Sequence, residues 1–324
     1  MEVIIQIYNR VEKKFYQPPV TEGIEWETCR KGAPGKLTFT VIKTEGIKFN
    51  EGDEVKLTVD GKPVFFGYVF QKSRNKDHHI EVIAYDQLRY LKNSFSYQFV
   101  GVRADQVLKR IADDFHLDVG NLPNTGYVIP RFEADNQSLF DIILTALDHT
   151  VMNTGNLYYL YDDCGWMMLE HMRDSKIDLI IHDGAAEDFD YTSSIDSNTY
   201  NRVIVVESEE NGASNIEVEQ DDGENGSISR WGILQTVVQG DNGINAKEQA
   251  KALLKLHNRV QRSLTVSGVF GDVRARAGKR IYLDFDLGDL PGKQDMLIEK
   301  AVHTFENGHH SMELQLIGCE EFYD

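Results

Sequence analysis

One strand–turn–strand pattern occurs twice in this chain, once near each end, and it constrains the fold more than any other feature. The first copy opens with Gly52-Asp53-Glu54-Val55-Lys56-Leu57, and the second with Gly278-Lys279-Arg280-Ile281-Tyr282-Leu283. Each continues through a turn into a second long strand, Val64 to Gln71 in one and Met296 to Thr304 in the other. Each then reaches a His-His pair, His78-His79 and His309-His310, before an alternating strand, Ile80 to Ala84 and Met312 to Leu316. A repeated unit of this kind predicts two related β-barrel domains in one chain. Three copies of such a chain present six similar units, the geometry needed to cap a six-fold ring.

The stretches around the repeat have their own periods. Residues 1–95 alternate as strands, with Val3-Ile4-Ile5, Leu37 to Val41, Asp53 to Val59 and His79 to Asp86 separated by turn signals, Asp60-Gly61 being the strongest. Residues 96–185 change to helical spacing. Val107, Leu108, Ile111, Ala112 and Phe115 share one face of a helix from Ala104, and Leu139, Ile142, Ile143, Ala146 and Leu147 share one face of a second helix from about Ser138 to Thr150. Asp135 or Asn136 is the expected cap of that second helix. Tyr158 to Tyr161 and Trp166 to Leu169 flank Asp162-Asp163-Cys164-Gly165 and read as a hairpin. Residues 186–324 return to strands, interrupted by one helix from Ala246 to about Arg259. The expected class is therefore α+β, mainly β: two tube-like β-barrel domains, 1–95 and 186–324, with a small α+β module at 96–185 inserted between them. A length of 324 residues is compatible with two domains or three small ones.

Charge and composition exclude several function classes. The formal net charge is −18, the reverse of the basic footprint of a nucleic-acid reader, so no sequence-specific nucleic-acid binding is expected. Residues 183–225 hold 13 acidic side chains and one basic one, Arg202, a net −12. The second half of that run, with Asn211-Gly212 and Asp222-Gly223, reads as an exposed acidic loop between Val203 to Val206 and Trp231 to Leu234. No apolar run approaches the ~18 residues of a membrane helix, and the N-terminus lacks a basic start and cleavage site, so neither membrane insertion nor secretion is expected. Cys29, Cys164 and Cys319 are odd in number and far apart, which argues against a disulfide framework and for a reducing cytoplasm.

Signatures of catalysis are missing: there is no Gly-x-Ser-x-Gly, P-loop, dinucleotide fingerprint or His-Glu-x-x-His. Cys164 follows two aspartates, which raise a thiol pKa where a nucleophile needs it lowered. Adjacent strand residues point to opposite faces, so the His-His pairs are poorly placed to share a metal. Asp221-Asp222-Gly223-Glu224-Asn225-Gly226 is oxygen-rich but lacks EF-hand spacing and its bidentate Glu. Asp162 and Asp163 are the one carboxylate pair weighed for glycoside cleavage, and Tyr158, Tyr159, Tyr161 and Trp166 the aromatics weighed for sugar binding. An Asp pair at a turn has its own backbone-bonding explanation, and hairpin aromatics pack a core. The expectation is no catalytic, cofactor-binding or metal-binding residue and no cofactor.

Several strings in order resemble one family. They are Gly67-Tyr68-Val69-Phe70 leading to Ala84-Tyr85-Asp86-Gln87-Leu88-Arg89-Tyr90-Leu91, then Tyr200-Asn201-Arg202-Val203, Trp231-Gly232-Ile233-Leu234-Gln235, and His303 with His310-Ser311-Met312-Glu313-Leu314. They look like the XkdQ/YqbQ-like baseplate hub proteins of contractile phage tails and phage-tail-like bacteriocins, related in fold to late control protein D and the T-even hub. The resemblance implies a homotrimer at the tip of the tail tube, with two tube-like domains per chain giving a pseudo-six-fold ring. Its partners would be the tail tube protein, the central spike protein and other baseplate proteins. It implies no enzymatic activity and a place in the tail baseplate of a virion or bacteriocin, assembled in the bacterial host cytoplasm. Any cell-wall cleavage is expected to belong to another protein. Two other functions compete: a cell-wall hydrolase, whose activity would vanish when Asp162 and Asp163 become Asn, and a tail-tip carbohydrate- or receptor-binding module, which would lose cell binding with Trp166→Ala.

Overall fold

The computed structural model describes residues 1–76, 79–196, 198–208, 214–240, 245–288 and 293–318. His78, Asn211-Gly212 and Cys319 lie outside the described residues. The first part holds β1 (Val3–Asn9), β2 (Lys14–Tyr16), β3 (Ile24–Cys29), β4 (Lys36–Ile42), β5 (Glu54–Val59), β6 (Lys62–Arg74) and β7 (His79–Tyr85). Buried and open positions alternate along β3, β5 and β7, as expected for strands with one covered face. Asp60 and Gly61 both take positive φ, the turn that matches the twist of a two-residue hairpin.

The middle part opens with a 3₁₀ turn, Gln87–Lys92, and continues with β8 (Ser94–Val102), α1 (Ala104–Asp114), β9 (Ile129–Ser138), α2 (Leu139–Thr154), β10 (Tyr158–Asp163) and β11 (Trp166–His171). Both apolar stripes read from the sequence are buried, except that Phe115, just past the end of α1, is only partly covered, and with Phe99, Phe132 and Met167 they form one core. The cap of α2 differs from expectation. Asp135 and Asn136 belong to β9, and Ser138 Oγ accepts the Asp141 N–H at 3.1 Å instead. The β8–β9 pairing carries the chain straight into the helix, which moves the cap three residues downstream of Asp135.

The last part comprises β12 (Lys176–His182), β13 (Asp188–Ser194), β14 (Arg202–Ser208), β15 (Ser214–Gln220), α3 (Ser227–Trp231), β16 (Gln235–Gln239), α4 (Ala246–His257), β17 (Gln261–Phe270), β18 (Arg280–Asp284), β19 (Lys293–Glu306) and β20 (His309–Gly318). Here the expected exposed acidic loop is corrected. Ser214–Gln220 is a strand hydrogen-bonded to β14, with Val205 opposite Glu217 and Val203 opposite Glu219. Alternation hid it: Ile216 and Val218 are also exposed, so neither face reads as buried. Strands β14, β15 and β16 with α4 make a satellite unit around Val203, Val205, Ala246 and Ala250.

The two repeats obey the same strand order. One runs β3-β4-β7-β6-β5-β1 and the other β13-β17-β20-β19-β18-β12, and they are continuous through a β19–β3 pairing. β6 and β19 are each bulged, at Phe70 and Glu299, which occupy the same place relative to the flanking pairs. Gly52 N–H bonds Val69 C=O and Val69 N–H bonds Asp53 C=O, at 2.7 and 2.9 Å. Gly278 N–H bonds Ile298 C=O and Ile298 N–H bonds Lys279 C=O, at 2.8 and 2.9 Å. The repeat seen in sequence is thus a repeat of backbone hydrogen bonds. The fold is α+β and mainly β. Among the described residues the strands of the two repeats form one continuous sheet with ends at β2, β12 and β13, and neither repeat closes on itself by hydrogen bonds.

Candidate functional site

The three parts meet at a polar seam beside the β3–β19 junction. Six residue pairs, from Ile24 opposite Phe305 to Cys29 opposite Lys300, join the two repeats there. Phe305 belongs to the second repeat by sequence but packs in the core of the first. Trp26 stacks on His303 with ring centroids 4.8 Å apart. His303 Nε2 lies 3.0 Å from Ala275 C=O, which can only accept, so this nitrogen carries the proton and Nδ1 accepts from His310 Nε2 at 2.9 Å. Burial, with the neighbouring His310, pushes the His303 pKa down to about 3, and the ring stays neutral. Polar clasps reinforce the seam at its outer side: Arg30 to Glu299 at 2.5 Å and Lys300 to Glu27 at 3.1 Å.

The β10–β11 hairpin of the middle part reaches both repeats from here. Toward the first, the link runs through the turn that follows β7: the Gln87 amide donates to Asp162 Oδ2 at 3.0 Å and to Gly165 C=O at 2.6 Å, and accepts the Asp118 N–H at 3.0 Å. Its neighbour Asp86 accepts the N–H groups of Gly35 at 2.8 Å and Leu88 at 3.0 Å. Toward the second, Arg276 donates to Asp162 C=O at 2.5 Å and lies 4.7 Å from the centre of the Tyr161 ring. Lys279 bonds Glu170 at 2.6 Å, and Glu170 also accepts from the Tyr159 hydroxyl. Gly278 has φ +88°, and a Cβ there would stand 2.1 Å from the Tyr159 ring, so glycine is required by both conformation and space. Burial raises the Asp86 carboxyl well above its ordinary value, the Asp162 charge adding to it, and burial holds Asp162 up to about 6.

This arrangement fastens the middle hairpin to both repeats. Asp162 is buried and engaged with Gln87 and Gly165, whereas Asp163 is exposed. Burial, then Asp163 and Asp162, push the Cys164 thiol up to about 11, the wrong direction for a nucleophile. Tyr159 is buried and Tyr161 is covered by Arg276, so of the hairpin aromatics only Trp166 is largely exposed, at 53%. His309 is exposed and His310 is turned into the seam. Asp221 is occupied by Ser227 N–H and the Asn258 amide. Among the described residues no three His, Cys, Asp or Glu side chains gather as a metal site, and no helix is long and apolar enough to cross a membrane. Sequence reasoning missed Gln87, Glu170, Arg276 and Lys279 as seam residues. Their partners lie 75 or more positions away in most cases, and no local pattern marks them.

Residues 24–317 match the family model described as YQBQ-like. "Uncharacterized protein YqbQ" of Bacillus subtilis (strain 168) is 31% identical over 309 residues, 92% of each chain. "Phage-like element PBSX protein XkdQ" of the same strain is 28% identical over 308 residues, again 92% of each. In fold, the chain is similar to a tail protein from Neisseria meningitidis MC58, with TM-score 0.71, 14% identity and coverage of 99% of this chain and 98% of that one. It is also similar to the E. coli c3393 protein, with TM-score 0.56, 10% identity and coverage of 98% and 78%. That protein is described as a type VI secretion component with structural similarity to the T4 tail proteins gp27 and gp5. The fold is that of phage tail proteins. The chain belongs to the YQBQ-like family.

Proposed function

We propose that the chain is a structural baseplate hub, a homotrimeric adaptor that joins the six-fold tail tube to the three-fold central spike. The observation that carries this reading is the fused repeat: two units of identical strand order, with the same bonds at Gly52/Val69 and Gly278/Ile298, joined edge to edge. A unit repeated twice in a chain and three times in a ring offers six similar surfaces to a tube and three identical ones to a spike. The phage-element relative and the tail-protein fold support a place in a tail baseplate. In this reading 1–95 and 186–324 are the ring units and 96–185 is the inserted brace, with β12 drawn to the second unit by its pairing with β18. The net charge of −18 suits the wall of a conduit, since like charge keeps nucleic acid from adhering. Assembly in the host cytoplasm belongs to the same proposal. The direct test is stoichiometry: quantitative mass spectrometry of purified tails should give equal copies of this chain and the spike protein, and half as many copies as one ring of the tube. A sixfold or single-copy ratio would contradict it.

A further inference from the structure

The internal junction defines a second place where the same contact is missing. β19 pairs β18 along its first half and, after the Glu299 bulge, β3 along its second half. Its counterpart β6 pairs β5 along its first half, but beyond the Phe70 bulge the outer edge of Gln71–Arg74 pairs with no strand among the described residues. Conversely β3 is paired on both sides, whereas its counterpart β13 pairs only β17 among the described residues. Each chain therefore carries one donor strand edge and one acceptor strand edge left over from a junction it has already made once.

The space beside the acceptor edge has the right shape. A groove of roughly 880 Å³ lies between Lys72, Ser73 and Arg74 of β6 and the connection from β4 to β5, with Ile47 and Phe49 on its wall. In the other repeat the matching connection, from β17 to β18, has β3 seated against it, where Ala277 N–H bonds Thr28 Oγ1 at 3.0 Å and Arg276 lies 6.0 Å from the Trp26 ring centre. Matching pairs across the repeats (Leu37 opposite Trp26, Leu264 opposite Tyr191) makes Tyr191 the counterpart of Trp26 and Phe189 that of Ile24. Ile24 is 4% exposed and Phe189 is 45% exposed. With Tyr191 opposite Arg74, the basic side chains Lys72, Arg74 and Lys76 share a face with the aromatic Phe189 and Tyr191.

We propose that β13 of one copy of this chain docks along the outer edge of β6 in a second copy, with Tyr191 opposite Arg74, repeating between chains the junction that β3 and β19 form within one. This rests on the ring reading above and supplies its interface. The contact is heterologous, donor to acceptor, and closes after three copies if each junction turns the ring as the internal one does. Strand addition satisfies both open edges, and Phe189 and Tyr191 face Lys72, Arg74 and Lys76, so cation–π contact accompanies the ladder. The register also puts Thr192 opposite Ser73, two exposed side chains whose replacement disturbs no core.

Directly opposed residues of an antiparallel pair lie within disulfide reach. Intact tails carrying Thr192→Cys together with Ser73→Cys should, on oxidation, convert most of this chain to covalent dimers and trimers that reduction dissolves. Each single variant should stay monomeric on the gel, which also controls for the native cysteines. If tails assemble with three copies but the double variant stays monomeric, the docking register is overturned and the hub stands. If the copy number is not three, the hub reading falls first. Should the double variant fail to assemble, oxidising a mixture of the two singly substituted full-length chains decides the matter: a dimer appearing only in the mixture supports the contact, and none at millimolar protein contradicts it.

Discussion

His303 accepts a hydrogen bond from His310 at 2.9 Å while donating its own Nε2 proton to the Ala275 carbonyl, beneath the ring of Trp26. The pair therefore works only when His303 is neutral. Its folded pKa is depressed to about 3 by burial and His310, and burial also lowers that of His310. Asp272 and Arg276 are the charged groups that face it. Because the unfolded chain takes up the proton first, stability falls as pH drops below about 6.5 toward 3. Asp162, raised to about 6, has the opposite sign: its ionisation burdens the folded state at neutral pH and that burden is relieved as pH falls toward the unfolded value. The difference between wild type and His303→Asn isolates the histidine. Urea midpoints from pH 7.5 to 5 should converge, with wild type losing its advantage in acid. Parallel lines would contradict the neutral-pair account.

Asp162 separates a structural role from a catalytic one. Asp162→Asn keeps the shape and removes a charge that burial disfavours, but its single oxygen accepts from only one of the Gln87 amide and the Gly165 N–H, so stability at pH 7.5 should fall by less than for Asp162→Ala. Asp162→Ala strands those donors and should cost about 1–3 kcal/mol in urea unfolding. Equal losses from both substitutions would show that the charge itself matters.

Gly52 and Gly278 occupy matching places with φ of +85° and +88°, yet a Cβ at Gly52 meets nothing within 4 Å while one at Gly278 meets the Tyr159 ring. Gly52→Ala should cost only the backbone strain, about 1–3 kcal/mol. Gly278→Ala should cost clearly more, and Tyr159→Ala should restore part of the difference. Equal costs at the two glycines would mean that the hairpin brace is seated elsewhere.

Ile143 is fully buried on α2. Ile143→Val should cost about 0.5–1.5 kcal/mol, whereas Ile143→Asp should abolish soluble folding because a buried charge has no partner there. A soluble, assembling Asp variant would contradict the position of α2 in the middle core.

How much of this was legible in the sequence depends on the range of the interaction. The stripe of α2, the Asp60-Gly61 turn and the Gly52/Gly278 repeat are set by neighbours in sequence, and the structure contains each of them. β15 was hidden because its apolar residues, Ile216 and Val218, remain exposed and its alternation reads as an acidic loop. The cap at Ser138 was hidden because pairing with β8 extends β9 past Asn136. The seam of Gln87, Asp162, Arg276 and Glu170 was illegible because three distant segments build it, although Asp86-Gln87 and His303 stood within the strings that carried the family resemblance.

Electron cryo-microscopy of intact tail particles, with this chain traced in the density, tests the hub most directly. Three copies should form a ring between tube and spike, with the two repeats of each chain alternating around it and β13 of each copy lying beside β6 of the next. A peripheral position, or any copy number other than three, would contradict the adaptor role.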